Sequence, residues 1–70
     1  MGGVKMTIGE RLLMFRAKYN LTQKQMSKLI DENINMLYRY ENGNNKPHKK
    51  NELRILMKLE KLEKERENNV

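Results

Sequence analysis

Leu21–Gly43, LTQKQMSKLIDENINMLYRYENG, decides how the rest of this chain is read. Thr22 is placed to cap a helix, and Gln25, three residues later, can reach back to it, which makes a capping box. At about 100° per residue, Met26, Leu29 and Ile30 share one side, with Gln23 and Ser27 at its margin. Lys24, Gln25 and Lys28 share the other. Asp31-Glu32-Asn33 breaks the pattern. Asp and Asn tolerate left-handed backbone, and Asn33 is a good N-cap for a second helix. That helix divides into two arcs. Asn33, Met36, Leu37, Tyr40 and Glu41 form an inner arc for packing. Ile34, Asn35, Tyr38, Arg39 and Asn42 form an outer arc. Gly43 is a C′ stop. Two short helices and a tight turn make a helix-turn-helix.

The outer arc is short on charge but holds an amide, a guanidinium, a phenol and an aliphatic group. These are the groups that read base edges when a helix lies in a major groove. The formal charge of +6 fits such a partner. Residues 1–32 carry six Lys/Arg against three Asp/Glu, residues 33–57 five against two, and residues 58–70 four against four. The basic excess therefore lies on and around the helix-turn-helix, where it favours a polyanion.

Working outward, Thr7 and Glu10 form a second capping box and start a first helix. Its apolar face is Ile8, Leu12, Phe15 and Tyr19, with Arg16 at the edge and Asn20 as its stop. Residues 1–6 read as a loose, disordered arm; the alternative is that Lys5 touches a phosphate. After Gly43 comes a polar loop, Asn44-Asn45-Lys46-Pro47-His48. A last helix begins near Lys49 and reaches at least Leu62. It carries two apolar stripes: Leu53, Leu56 and Met57, and then Ile55, Leu59 and Leu62. One stripe closes the core. The other, Ile55, Leu59 and Leu62, is assigned to a homodimer interface between last helices. The alternative folds it back on the first helix near Leu13. Residues 63–70 are a charge-mixed tail that frays or extends the helix.

In order and spacing, Arg16, Leu21-Thr22-Gln23, Ser27, Leu37 and Tyr40-Glu41-Asn42-Gly43 resemble the Cro/cI-type (XRE) helix-turn-helix of phage repressors and small bacterial regulators. The resemblance is ungapped from Ile8 to Gly43 and looser to Leu59. It implies an all-α, lambda-repressor-like domain of four to five helices over residues 7–62, with the last helix extended. It implies a buried ion pair between Arg16 and Glu41. It also implies a loop after the third helix that follows the DNA backbone. Two positions depart from the pattern: the family usually has Gly where Asp31 stands and an apolar residue where Glu32 stands. An irregular turn is expected there, with Ile34 covering the gap.

The function expected is sequence-specific binding of double-stranded DNA, most simply by a homodimeric repressor on an inverted-repeat operator. Asn35 and Arg39 would read bases, with Tyr38 and Ile34 on a thymine methyl or sugar. Thr22, Gln23, Asn42, Asn44, Asn45 and Lys46 would hold phosphates. An antitoxin or protein-bridging role on the same fold is the other class considered.

Seventy residues allow one domain with a small core. There is no cysteine, hence no disulfide and no Cys-based metal site. The lone His48 belongs to the loop. No enzyme constellation, cofactor, metal or small-molecule ligand is expected. No apolar run approaches the roughly 20 residues of a membrane span. The start, MGGVKM, has no signal-peptide core, and Met6 stands where a myristoylation signal wants Ser or Thr. A soluble, cytoplasmic protein is expected.

Overall fold

The computed structural model describes residues 6–67, which form four helices: α1 (Ile8–Tyr19), α2 (Gln23–Leu29), α3 (Ile34–Asn42) and α4 (Lys49–Glu67). No strand occurs among the described residues. Lys5, in the expected arm, lies outside them.

The helix ends follow from local chemistry. Thr7 Oγ1 accepts from the Glu10 N–H (3.1 Å), and Glu10 Oε1 accepts from the Thr7 N–H (2.9 Å). Thr22 and Gln25 repeat this at the same two distances. Asn33 accepts from the Asn35 N–H at 2.7 Å. Each of the first three helices closes on a left-handed residue: Asn20 (φ 54°), Asp31 (φ 57°) and Gly43 (φ 76°). At each, the next N–H returns five residues to a carbonyl: Leu21 to Arg16, Glu32 to Ser27 and Asn44 to Arg39. This is the Schellman geometry, which satisfies the last carbonyls of a helix. Asp31 thus does what Gly does in the family, and the turn is regular. α3 begins at Ile34, directly after its cap.

The core draws on every helix: Ile8, Leu12 and Phe15; Met26 and Ile30; Leu37 and Tyr40; Ile55, Leu59 and Leu62. Leu12, Met26, Ile30, Leu37 and Ile55 are fully enclosed, and each such side chain contributes about 1.5–3 kcal/mol by leaving water. α3 packs on α1 and α2, and α4 packs on α1. The α1–α3 crossing is close because of Gly9. A Cβ there would overlap the Tyr40 carbonyl oxygen and stand 2.9 Å from its carbon.

α4 corrects the expected use of its two stripes. Ile55, Leu59 and Leu62 are buried in the chain's own core, so they cannot form a dimer interface in this fold. Leu53 and Met57, expected to close the core, are exposed, and Leu56 is half-buried. The alternative that folds this stripe inward is the one realised. The partners are the buried face of α1 rather than Leu13, which is itself exposed. Residues 68–70 lie outside the described residues, and the helix continues into the expected tail as far as Glu67. There Lys18 bridges Glu63 (3.3 Å) and Glu67 (3.4 Å), and the Arg66 guanidinium lies over the Tyr19 ring.

Candidate nucleic-acid interface

α3 separates the two arcs except at Asn33, which was placed on the inner arc but is exposed as the helix's N-cap. Leu37 and Tyr40 are buried, Met36 is half-buried, and the Glu41 side chain is 3% exposed. On the other arc Ile34, Asn35, Tyr38, Arg39 and Asn42 all face solvent. Among the described residues no hydrogen bond engages the Asn35 amide or the Arg39 guanidinium, so their donors point outward unspent. Gly43 then turns the chain into Asn44, Asn45 and Lys46, also exposed. The outer arc and these loop residues are exposed throughout, with Ile34 and Tyr38 as the apolar members among polar neighbours. Thr22 is exposed at the start of α2, its hydroxyl oxygen taken by the cap.

Beneath that surface Arg16 and Glu41 hold α3 in place. Arg16 Nε donates to Glu41 Oε2 (2.8 Å) and Nη2 to Oε1 (3.0 Å). Nη1 donates to the Leu21 carbonyl (3.2 Å). One guanidinium therefore joins α1, the α1–α2 connection and α3. Gln23 lies in the same network: its Nε2 donates to Glu41 Oε1 at 3.0 Å. One N–H of Gln23, a residue expected to hold a phosphate, is thus spent on a buried carboxylate, and the side chain is half-exposed.

The Glu32 departure has its own explanation. The carboxylate accepts from Arg54 Nη2 (2.9 Å) and Asn51 Nδ2 (3.1 Å) on α4. Arg54 Nη1 also donates to the Ile30 carbonyl (2.8 Å), and Asn51 Nδ2 reaches the Tyr40 hydroxyl (3.4 Å). A polar latch thus ties the turn to α4 where the family packs an apolar residue. Ile34 does not cover this position; it is exposed at the start of α3. The Tyr40 hydroxyl is pushed above its ordinary pKa by burial and then by the nearby Glu32 charge. Sequence reading missed the latch. Its only signal was the charge at Glu32, and the partners are about 20 residues away.

A surface of exposed amide and guanidinium groups, on a helix anchored from behind, accompanies the family's sequence pattern. The sequence model of the family described as helix-turn-helix matches residues 12–64. The chain belongs to the XRE-type, Cro/cI-like helix-turn-helix family. The match spans all of α2 and α3, the α3–α4 loop and most of α1 and α4. Neither a curated protein nor a solved structure matches the chain. Membership sets the class of function: sequence-specific DNA binding in transcription regulation. It is a regulatory rather than an enzymatic family. Among the described residues no His, Cys, Asp and Glu side chains gather as a metal site, and no helix is long and apolar enough to cross a membrane.

Proposed function

We propose that this XRE-family protein is a cytoplasmic repressor that, as a homodimer, occludes an inverted-repeat operator in double-stranded DNA. The observation that carries the reading is the division of α3: Leu37, Tyr40 and Glu41 are held inside while, among the described residues, nothing engages the side-chain donors of Asn35 and Arg39. Asn35 suits the N6/N7 edge of adenine and Arg39 the O6/N7 edge of guanine. Tyr38 and Ile34 pack on thymine methyls or sugars. Asn42, Asn44, Asn45, Lys46 and Thr22 fix the register on phosphates, and Gln23 adds its remaining amide N–H.

The test is selection of bound sequences from a random duplex pool at physiological salt, with the wild type and Arg39→Ala in parallel. The wild type should enrich an inverted repeat with half-site centres about 34 Å apart or a multiple of that. Log affinity for the winner should fall with log salt by about 0.9 per phosphate contact. Arg39→Ala should lose about 5- to 150-fold on that site, the worth of one bidentate base contact, with an unchanged melting temperature. An unenriched pool would leave only generic attraction to a basic surface and would favour a protein-bridging role.

A further inference from the structure

Part of the apolar surface that the core leaves exposed is gathered in one place. Met6, Met14 and Met57, with the half-buried Leu56, line a groove of about 850 Å³ between α1 and α4. Met14 is 59% exposed and Met57 70%. No described element covers them, because α4 turns its other stripe into the core. Single exposed apolar residues are ordinary, but a groove of them marks a contact surface. Methionines suit such a surface, since the thioether adapts to irregular partners.

The charges around the groove say which partner fits. Its α1 rim is basic, with Arg11 and Lys18, and its α4 rim is acidic, with Glu60 and Glu63. Lys18 and Glu63 meet at 3.3 Å and mark one end. Arg11 and Glu60 have no ion-pair partner among the described residues. A surface with opposite charges on opposite rims is complementary to itself. A two-fold axis running along the groove, in the plane of the interface, lays one copy's basic rim along the other's acidic rim. It carries Arg11 toward Glu60 of a second copy. The acidic rim and the apolar floor both make this face unsuited to DNA.

We infer that the Met14–Met57 groove is the homodimer interface, two copies packing α1 and α4 about a two-fold axis, with Arg11 paired to Glu60 across it. This rests on the homodimeric part of the proposed function and replaces the interface expected from the sequence.

The experiment is sedimentation equilibrium of the full chain without DNA, beside its circular dichroism melt. Wild type should be a dimer. Met57→Glu should be a monomer with unchanged helicity, because the side chain lies outside the core. Leu53→Glu, also exposed on α4 but outside the groove, should remain a dimer. Arg11→Glu and Glu60→Arg should each weaken association by on the order of tenfold, and the double reversal should restore it. A monomeric wild type, or a dimeric Met57→Glu, overturns the interface. A double reversal that restores nothing overturns the two-fold register. The DNA selection separates the two claims. An enriched operator with a dimeric Met57→Glu leaves the regulator standing and moves its interface. An unenriched pool with a monomeric Met57→Glu keeps the interface and ends the regulator.

Discussion

Arg16 and Glu41 illustrate how a residue can belong to the reading surface without touching it. The Arg16 side chain is 21% exposed and Glu41 3%, so both are largely withdrawn from water. Truncating Arg16 leaves a buried carboxylate with Gln23 as its remaining donor. The expected cost is ~3–5 kcal/mol, against a total stability of about 3–10 kcal/mol for 70 residues. Arg16→Ala should therefore be unfolded or close to it at 37 °C. Arg16→Lys should rescue little, because a single ammonium cannot serve both carboxylate oxygens and the Leu21 carbonyl. Urea titration followed by circular dichroism checks this; a loss below about 1 kcal/mol would mean the pair is effectively solvated. Asp31 gives the opposite sign. A left-handed L-residue costs roughly 1–2 kcal/mol, and Gly returns about half of that through its greater unfolded-state freedom. Asp31→Gly should raise the urea midpoint modestly, and Asp31→Val should lower it.

At the scale of elements, α3 is held from three directions. α1 reaches it through Arg16 and the bare backbone at Gly9, α2 through the tight turn, and α4 through Asn51 on the Tyr40 hydroxyl. Gly9 sits one residue into α1, where Ala would ordinarily favour the helix. Here Gly9→Ala should destabilise by about 1–3 kcal/mol, the range for overpacking, since its Cβ meets backbone that has no rotamer to change. Thermal melting measures this directly. An increase in melting temperature would show that α1 and α3 can separate freely. Any such separation shifts α3 on its support, so operator affinity should fall more than stability alone explains.

For the whole molecule, pH reports how far the core and its latch act together. Tyr40 is held above its ordinary pKa by burial and then by Glu32, while Lys18 is raised mainly by its hydrogen bond to Glu63. A group with a raised folded pKa stabilises fully below its unfolded value and loses that contribution as pH rises through the folded one. Both groups therefore act in the same direction. Neither should change stability at neutral pH, and the melting temperature should fall above about pH 10. Lys18 is exposed and its bridges are screened, so Tyr40 should carry the larger share. Tyr40→Phe should flatten the alkaline slope; a slope unaffected by that change would place its origin elsewhere. The same core leaves the α1–α4 groove uncovered by any described element.

Apart from the Arg16–Glu41 pair, which the family resemblance implied, the features that were legible in the sequence are local ones. The boxes at Thr7–Glu10 and Thr22–Gln25, the cap at Asn33, the stops at Asn20 and Gly43 and the two arcs of α3 depend on hydrogen bonds or periodicities within a few residues. Backbone sterics and helical geometry determine those wherever the segment lies. Tertiary structure alone decided the rest. Ile55, Leu59 and Leu62 face inward, and Met57 outward, because α4 meets the Ile8–Leu12–Phe15 face at one rotation about its axis, and both stripes were apolar enough to serve. Glu32 found Arg54, Gln23 found Glu41 and Gly9 met Tyr40 only once distant segments had been brought together. Local pattern records which surface a helix can bury; the packed neighbours determine which one it does.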